Sequence, residues 1–447
     1  MGLTLREYQQ DIFDQATEAF KNGAKGICCV LPCRSGKSYI MARMIQGAKG
    51  NVLVLAHRHT LINQHKDLLK SLGVLTDNVR VESVFTEASR LGRYKPNDVN
   101  LIIIDEAHLS EAKSYRKVCE YYDCRRVLFT ATPSRLDGKP LTLADTLITG
   151  IEATELIKKG SISDYDYYAP DLHLDTESVD MVAGEYHNGQ LSDLMCQSAI
   201  YGDVLKYYRL LGEDRQAIAY CTSIKHSKQT ADMFNKNGIS AISIDGSMSM
   251  NERDKLMDLF RNGKAQILCN CNLISEGVTL PNASVALLLR PTMSLPLFIQ
   301  QSCRVLTPVE GKKAVIIDYV NNCQKHGLPT DTHNWSLSQQ IEKRKEFNED
   351  GTLNIRQCEN CFRCFQGNKC PYCGAEHIPK GRELKQMQEV ELKKIEAIEK
   401  EEEEKQKKEA RKEQGMCKTY QELYDLAKKR GYKNPSGWAY FIMKGRR

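Results

Sequence analysis

The chain has 447 residues, of which 41% are hydrophobic and 27% are charged. This length suggests two or three domains of ordinary globular composition. No apolar run is long enough to cross a bilayer, which excludes a membrane-spanning helical protein and argues against a membrane partner. The first residues lack the apolar segment of a signal peptide, so we expect a cytoplasmic protein.

Seventeen cysteines in a reducing compartment argue against a disulfide framework and favour buried thiols, together with any cluster at metal-binding spacing. The net charge of +6 is modest, and residues 415–447 carry all of it, with eight Lys or Arg against two Asp or Glu. We therefore expect attraction to nucleic acid mainly in that C-terminal segment.

A helical pattern begins at Leu5 and ends near Gly23. Gln9 lies in this pattern, shortly before a phosphate-binding motif, and from there its amide can read an adenine base. The alternative is a solvated helix residue.

A short apolar strand, Ile27–Val30, runs through residues 31–38 into a second helix. Backbone N–H groups at such a strand-to-helix turn cradle the β- and γ-phosphates of a nucleotide. Lys37 would supply a positive charge there, and Ser38 a hydroxyl ligand for Mg²⁺. The pattern usually opens with Gly, where this chain has Leu31, so the match rests on the Gly-Lys-Ser core. A plain surface turn is the alternative.

Further apolar runs follow, separated by helical segments, one of them from Thr60 to Ser71. These runs are Val52–Ala56, Val81–Phe85, Leu101–Ile104 and Arg126–Thr130. Continuously apolar strands that alternate with helices indicate an α/β fold with a parallel sheet buried on both faces.

The run ending at Ile104 leads directly into Asp105-Glu106-Ala107-His108. Open α/β sheets bind ligands at the carboxyl ends of their strands, where these two carboxylates are expected to lie. One carboxylate can hold Mg²⁺ while the next polarises an attacking water, as phosphoryl hydrolysis requires. The hydroxyls of Thr130 and Thr132 end the next strand and can couple the nucleotide to a neighbouring domain.

Together these motifs resemble those of superfamily 2 helicases of the DEAH-box type. The resemblance implies that an adenine-reading element and motif I form the nucleotide site, with the residues Arg6, Gln9, Pro32, Cys33, Arg34, Ser35, Gly36, Lys37 and Ser38. It also implies that Lys37, Asp105 and Glu106 are catalytic, with Ser38 and Asp105 as Mg²⁺ ligands. The residues implied to couple ATP to nucleic acid are His57, Arg58, His108, Thr130 and Thr132.

Strand–helix alternation resumes at Arg215 and continues to Asp318, without a second phosphate-binding loop. This pattern indicates a second α/β domain, so that ATP would bind in the cleft between two domains. Residues 270–281 resemble motif V, with Gly277 in the nucleotide site and Thr279 where relatives usually carry Asp.

Residues 300–307 resemble motif VI, which implies that Gln300 contacts the nucleotide and that Arg304 is catalytic. Cys303 replaces the usual Gly of this motif, and Thr307 replaces its last Arg. That last Arg is commonly the arginine finger, which is worth roughly 10³ to 10⁵ in turnover. A weak ATPase is therefore an open alternative, as is transfer of the finger's role to Arg290 or Arg304.

Two Cys-x-x-Cys pairs, Cys358 with Cys361 and Cys370 with Cys373, stand eight residues apart. Four thiolates at this spacing suit a closed tetrahedral Zn²⁺ site, structural because no ligand position stays open. Cys364 is a spare thiol. Four unrelated cysteines are the alternative. The module is compatible with nucleic-acid contact and equally with a staple for a small fold.

Residues 382–414 are rich in charge and indicate a solvated helix or tether. The basic segment 415–447 predicts a short helical module in which aromatic residues interleave with lysine and arginine. Lys428, Lys429 and Arg430 are its candidates for contact with nucleic-acid phosphates. With the cysteine pairs and the two preceding domains, this tail resembles the RadD-type helicases of bacteria and their phage-encoded relatives.

The resemblance implies an α/β fold with two tandem RecA-like parallel-sheet domains, a small zinc-binding module and a C-terminal helical module. The expected boundaries are 1–150 for the first RecA-like domain, 151–212 for a connector, 213–330 for the second RecA-like domain, 331–356 for an extension, 357–380 for the zinc module, 381–414 for the tether and 415–447 for the basic module.

The function implied by the resemblance is ATP-driven translocation on single-stranded or branched DNA, in repair, recombination or replication, within a bacterial or phage-infected cell. Its implied cofactors are ATP, Mg²⁺ and structural Zn²⁺. Two alternatives stay open: a nucleic-acid-binding protein whose motor has decayed, and an RNA helicase.

Overall fold

The structure is a computed structural model. It describes residues 3–133, 140–169, 179–182, 185–196, 198–271, 273, 280–337, 355–358, 360–365, 367, 369–376, 417, 419–429 and 434–444. The chain divides into two units, one formed by residues 1–346 and 354–376 and the other by residues 347–353 and 377–447. The first unit contains two six-stranded sheets.

The first sheet is entirely parallel. Its strands are β1 (Gly26–Val30), β2 (Val52–Ala56), β3 (Val79–Ser83), β4 (Leu101–Asp105), β5 (Arg125–Thr130) and β6 (Thr146–Thr149). They lie in the order β3-β2-β4-β5-β1-β6. The accompanying helices are α1 (Glu7–Lys21), α2 (Lys37–Gly47), α3 (His59–Ser71), α4 (Val84–Arg90) and α5 (Lys113–Tyr122).

Both faces of the first sheet are covered, as β2 illustrates. Val52 and Val54 pack into one apolar core, whereas Leu53 and Leu55 pack into another. Because side chains alternate across a strand, the two cores lie on opposite faces of the sheet. The continuously apolar sequence of β2 follows from this double burial, and the predicted parallel α/β architecture is confirmed.

One predicted strand is displaced along the chain. The apolar run predicts a strand over Val81–Phe85, but β3 ends at Ser83 and α4 begins at Val84. The hydroxyl of Ser83 accepts a hydrogen bond from the backbone N–H of Phe85 at 3.3 Å. Ser83 therefore caps the helix, and this local bond decides where the strand stops.

The second sheet is also parallel throughout. Its strands are β7 (Tyr165–Tyr168), β10 (Ala217–Tyr220), β11 (Ala241–Ile244), β12 (Ile267–Asn270), β13 (Val285–Leu288) and β14 (Ala314–Asp318), while β8 (Met181–Val182) and β9 (Glu185–Tyr186) form a separate antiparallel pair. The order of the sheet is β11-β12-β10-β13-β14-β7. The accompanying helices are α6 (Ala153–Lys158), α7 (Asn188–Met195), α8 (Ser198–Gly212), α9 (Ile224–Lys236), α10 (Met250–Arg261), α11 (Leu295–Cys303) and α12 (Asn322–His326).

The segment 151–212, expected to be a connector, contributes structure to the second sheet. Its strand β7 pairs in parallel with β14 and forms the sheet edge. The acidic residue Asp166 interrupts the apolar pattern of β7, and its charge is met by Lys313 at 2.8 Å and by Arg363 at 2.9 Å. The charge of this buried aspartate, compensated by two partly exposed basic residues, explains why the sequence pattern hides the strand.

The described residues between 355 and 376 include several that also pack on the second sheet. A short antiparallel pair, β15 (Arg356–Gln357) and β16 (Cys364–Phe365), opens this module. Ile355 and Cys364 are buried in the apolar core that contains β7 and β14 residues. The cysteine-rich module is therefore joined to the second sheet by apolar packing as well as by the Arg363–Asp166 ion pair.

The second unit is described as two helices that pack against each other, α13 (Tyr420–Lys429) and α14 (Pro435–Lys444). Leu423, Leu426 and Ala439 are buried between them. Lys428 and Lys429 lie exposed in the last turn of α13. Within the described part of the chain, no helix has the length and apolar character needed to cross a membrane.

Candidate functional site

The phosphate-binding loop occupies residues 31–36, between β1 and α2. Arg34 and Gly36 have φ angles of 66° and 80°, and these left-handed conformations turn the chain into the helix. A Cβ on Gly36 would lie 2.5 Å from Nε2 of Gln9, so glycine is needed for α1 to approach the loop this closely. Gly36 has no side-chain oxygen, so it leaves the first N–H groups of α2 to an anionic ligand.

The side chain of Lys37 is folded back over this loop. Its ammonium group donates to the carbonyl oxygens of Leu31 and Pro32, both at 3.3 Å. The loop thus combines a cation, the hydroxyl of Ser38 and a helix N-terminus, with the carboxylate of Asp105 close enough for the charge of Lys37 to act on it. The cation and the helix N-terminus fit the phosphates of a nucleoside triphosphate. The hydroxyl of Ser38 and the carboxylate of Asp105 fit Mg²⁺.

Gln9 is buried, with 5% of its surface exposed, which rules out the solvated helix residue. Its Nε2 donates to the carbonyl oxygen of Ser35 at 3.0 Å, and its Oε1 accepts from the backbone N–H of Arg6 at 3.0 Å. The hydroxyl of Tyr8, which sequence reasoning missed, donates to the same Ser35 oxygen at 2.8 Å. These hydrogen bonds hold the start of α1 against the phosphate-binding loop. Recognition of adenine by Arg6 and Gln9 remains a prediction.

Asp105 ends β4 and lies next to a residue that sequence reasoning missed. Nε2 of His65, on α3, is 3.0 Å from Oδ2 of Asp105, and Oδ1 accepts from the backbone N–H of Glu106 at 3.0 Å. Burial opposes ionisation of Asp105, but the hydrogen bond and charge of His65, together with Lys37, keep its pKa below the usual value. The signal for His65 was its place on the buried face of α3, in step with Leu61 and Leu69.

Glu106 links the two sheets. Its backbone is left-handed, with φ of 56°, and its Oε2 lies 3.5 Å from Nδ1 of His108. Nε2 of Gln300, on α11 of the second sheet, donates to the same Oε2 at 3.5 Å. The Asp105–His108 segment and the predicted motif VI are thus brought together across the two halves of the first unit, which are the parts built around the first and the second sheet.

A second contact across the halves joins the phosphate-binding loop to the end of α11. Cys33 is hydrogen-bonded to Cys303, and Arg304 lies close enough for its charge to act on both Cys33 and Arg34. Burial and the neighbouring charge of Arg304 lower the pKa of Arg34 to about 10. Arg304 is therefore beside the loop, as the resemblance to motif VI implies.

The other residues of the predicted coupling set lie at the carboxyl edge of the first sheet. The hydroxyl of Thr130 donates to the carbonyl oxygen of Thr132 at 2.9 Å, and the carbonyl of Thr130 accepts from the N–H of Leu31 at 3.0 Å. His57 and Arg58 follow β2 directly and are half-buried. These residues therefore lie at the same edge of the sheet as the phosphate-binding loop. Their role in coupling ATP to nucleic acid remains a prediction.

Thr307 stands where an arginine finger is expected, and it forms hydrogen bonds through its backbone carbonyl group. Its carbonyl oxygen accepts from the hydroxyl of Ser163 at 3.0 Å and from Nζ of Lys312 at 3.2 Å. Burial, followed by the charges of Arg34 and Arg215, lowers the pKa of Lys312 to about 8. Lys312 is thus a cation beside Thr307 that sequence reasoning missed. Gly277, Thr279 and Arg430 lie outside the described residues.

The four predicted zinc ligands form one cluster. The sulfur atoms of Cys358, Cys361, Cys370 and Cys373 all lie within 4.8 Å of one another. The chain turns sharply at each pair, because the N–H of Phe362 donates to Cys358 O at 2.8 Å and that of Gly374 donates to Cys370 O at 2.9 Å. Among the described residues the cluster consists of four convergent thiols, and such a donor set fits tetrahedral Zn²⁺. Cys364 is separate from them and is hydrogen-bonded to Cys323.

Two family models match the chain. The family described as "Type III restriction enzyme, res subunit" matches residues 2–135, and the family described as "Helicase conserved C-terminal domain" matches residues 202–307. The first match covers the phosphate-binding loop and Asp105, and the second ends at Thr307.

Curated relatives carry the likeness along most of the chain. A "51.5 kDa protein" of a Lactococcus phage (isolate 7-9) is 36% identical over 377 residues, which cover 82% of this chain and 81% of the phage protein. The putative ATP-dependent helicase IRC3 of Saccharomyces cerevisiae is 29% identical over 353 residues, covering 71% of this chain but only 51% of the yeast protein. The DNA 3'-5' helicase XPB of Mycobacterium tuberculosis is 26% identical over 353 residues, covering 71% of this chain and 61% of that protein.

Among solved structures, a fragment of a putative HsdR subunit of a type I restriction enzyme from Vibrio vulnificus is similar in fold. Its TM-score is 0.57 at 19% identity, covering 71% of this chain and 65% of the fragment. The fold, the nucleotide-site geometry and the matched families define a helicase. The chain belongs to superfamily 2 of the helicases, in one family with the phage protein, and is a nucleic-acid-dependent ATPase of that class.

Proposed function

We propose that the protein is an ATP-dependent DNA helicase or translocase that hydrolyses ATP between its two RecA-like halves, in DNA repair, recombination or replication. One observation carries the proposal: Nε2 of Gln300 lies 3.5 Å from Oε2 of Glu106. A carboxylate of the first half and an amide of the second thus meet next to Asp105, on which the charge of Lys37 in the nucleotide site acts. A nucleotide bound there would contact both halves, so that its hydrolysis would change their relative position.

In this proposal each residue has a distinct role. Lys37 and the N–H groups of α2 bind the phosphates, and Glu106 orients and deprotonates the attacking water. Mg²⁺, when bound by Ser38 and Asp105, would polarise the phosphate oxygens. Gln300 would hold the carboxylate of Glu106 toward the water, and His65 keeps that of Asp105 ionised.

We assign the arginine finger's role to Arg304 rather than to Arg290. The charge of Arg304 acts on Cys33 and Arg34 of the phosphate-binding loop, whereas the charge of Arg290 acts on Cys271 of the second half. A finger must reach the transferred phosphate from the opposite domain, and the action of Arg304 on the phosphate-binding loop supports this role.

DNA is the favoured nucleic acid, because the related mycobacterial protein is named as a DNA helicase. Exposed Lys428 and Lys429 at the end of α13 are suited to phosphate contact. The four-cysteine cluster is proposed to bind a structural Zn²⁺ that shapes the module on the second sheet.

The test is phosphate release from ATP in the presence of single-stranded DNA or single-stranded RNA of the same sequence. We expect DNA to stimulate hydrolysis more strongly than RNA does. Stimulation by RNA alone would replace the proposal with an RNA helicase. The double variant Lys428→Ala/Lys429→Ala should weaken DNA binding and flatten its salt dependence, whereas Lys236→Ala, an exposed lysine in the last turn of α9, should not.

A second candidate is a nucleic-acid-binding protein with a weak motor, and Thr307 favours it, since a threonine cannot stabilise transferred charge as an arginine does. For this candidate the informative variant is Thr307→Arg, with Val309→Arg at an exposed neighbouring position as the control. A gain in turnover with Thr307→Arg alone supports an incomplete finger. Strong hydrolysis by the unmodified chain, unchanged in Thr307→Arg, rejects this candidate.

A further inference from the structure

Cys33 and Cys303 form a thiol pair that spans the two halves of the first unit. Cys33 lies in the phosphate-binding loop and is half-buried, and Cys303 is the buried last residue of α11. The two side chains are hydrogen-bonded, and Cys33 packs against the core of the second sheet. Both residues also line a cavity of about 140 Å³, which is large enough to admit a small oxidant.

The surroundings of Cys33 favour its thiolate form. The hydrogen bond from Cys303 lowers its pKa, burial opposes this effect, and the positive charges of Lys37, Arg304 and Arg34 lower it further. The pKa of Cys303 is raised, because the anion beside it and its own burial both favour the protonated thiol. One sulfur of the pair is thus the nucleophile, and the other keeps its proton.

A second thiol pair in the same unit has the opposite character. Cys323 is hydrogen-bonded to Cys364, but both are buried in the apolar core, and Asp318 lies nearby. The hydrogen bond with Cys364 and burial raise the pKa of Cys323, and the carboxylate of Asp318 raises it further. Contact between two thiols therefore does not by itself produce a reactive pair, and Cys323 with Cys364 provides an internal comparison.

We propose that Cys33 and Cys303 are a redox-active pair that a peroxide converts to a disulfide, and that this bond arrests the motor. The chemical half of the proposal stands on the thiol pair alone, whereas the arrest rests on the proposed function. Oxidation would join the loop that binds the phosphates to the helix that carries Gln300. The two halves could then no longer separate, and opening of the cleft to exchange nucleotide would stop.

The reaction balances with hydrogen peroxide as oxidant. The thiolate of Cys33 attacks one peroxide oxygen, so that an S–O bond forms, the O–O bond breaks, and hydroxide leaves to take up a proton as water. The resulting sulfenic acid is attacked by the sulfur of Cys303, which forms the S–S bond. The S–O bond breaks in that step, and its oxygen leaves with the proton of the Cys303 thiol as a second water. Two thiols lose two electrons, and one peroxide gains them.

The experiment treats the full chain, loaded with zinc, with hydrogen peroxide and digests it without reduction. The expected product is a peptide pair joined through Cys33 and Cys303, lighter than the two free peptides by two hydrogen atoms. It should form before any Cys323–Cys364 pair. ATP hydrolysis in the same samples should fall about tenfold as the linked peptide accumulates, and dithiothreitol should restore it.

The variant Cys303→Ser separates this effect from damage to the zinc cluster, since it keeps all four zinc-binding cysteines. Its own hydrolysis, compared before and after peroxide, should change little. A chain whose other thiols oxidise while Cys33 and Cys303 stay unlinked overturns the proposal. Formation of the bond with undiminished hydrolysis overturns the arrest and keeps the pair. A chain that never hydrolyses ATP, yet forms the bond, contradicts the proposed function and leaves the chemistry supported.

Discussion

Nε2 of His65 lies 3.0 Å from Oδ2 of Asp105, and both side chains are buried. The aspartate is the proposed Mg²⁺ ligand, and its other oxygen is held by the backbone N–H of Glu106. Both carboxylate oxygens are therefore oriented before any ligand arrives. Preorganisation of this kind reduces the reorganisation needed for catalysis.

Replacing His65 with Ala should leave Asp105 misoriented and weaken its interaction with Mg²⁺. We expect kcat to fall by about ten- to a hundredfold, with a higher Mg²⁺ concentration needed for half-maximal hydrolysis. His65→Gln, which keeps a donor, should recover part of the loss. His59→Ala changes an exposed histidine on the same helix and is the control. An unchanged Mg²⁺ requirement in His65→Ala would show that the contact is only structural.

Replacing Gln300 with Ala should lower kcat while nucleotide affinity changes little, because the amide contacts Glu106 rather than the phosphate-binding loop. Gln300→Glu should be worse, since it places a second carboxylate beside Glu106 in a buried site. Steady-state hydrolysis and the affinity for a fluorescent nucleotide measure the two effects. Gln15→Ala, at an exposed position of α1, is the control. Equal losses in affinity and turnover would contradict the assigned role.

The cysteine cluster should hold about one zinc ion per chain, as measured by elemental analysis. Cys358→Ser should lose this ion and lower the temperature of unfolding, because Ile355 and Cys364 of the same module belong to the core of the second sheet. Cys417→Ser alters a thiol outside the cluster and should keep the zinc. Zinc retained by Cys358→Ser would mean that the cluster is not its site.

We expect His226 to make the free energy of unfolding depend on pH. Burial lowers its pKa to about 4, and its Nδ1 accepts from the N–H of Thr222 at 3.3 Å, which requires the neutral ring. The imidazole of His226 binds a proton more readily in the unfolded chain than in the folded one. Its contribution to the free energy of unfolding is therefore fully present above pH 6.5 and is lost as the pH falls toward 4. The expected loss between pH 7 and pH 5 is about 2 kcal/mol.

The measurement for His226 is the urea midpoint at those two pH values. His226→Asn can place an oxygen near the position of Nδ1 and carries no titrating group, so its midpoint should shift less than that of the unmodified chain. Equal shifts in both proteins would assign the pH dependence to other groups.

Much of the architecture could be predicted from the sequence because a parallel sheet buried on both faces produces apolar runs such as Val52–Ala56. The phosphate-binding loop, Asp105 and the four cysteines were found because their chemistry requires fixed residue types at short spacing. His65 was missed because its partner is 40 residues away. Strand β7 was missed because Asp166 breaks its pattern, and its charge is compensated by Lys313 and Arg363 from distant parts of the chain.

The contacts between the two halves could not be predicted from the sequence either. Cys303 and Thr307 could be read only as departures from motif VI, since nothing local to them indicates what lies opposite. Tertiary packing places Cys303 against Cys33 and gives the carbonyl of Thr307 to Ser163 and Lys312. The contacts of Cys303 and Thr307 can therefore be identified only from the packing of the two halves against each other.

The most direct test of the account is the rate of phosphate release with and without single-stranded DNA, compared between the unmodified chain and Lys37→Ala. The exposed lysine variant Lys21→Ala serves as the matched control. We predict that DNA stimulates the unmodified chain and Lys21→Ala, and that Lys37→Ala releases phosphate only at background. DNA-stimulated release that persists in Lys37→Ala would contradict the assignment of this loop as the site of ATP hydrolysis.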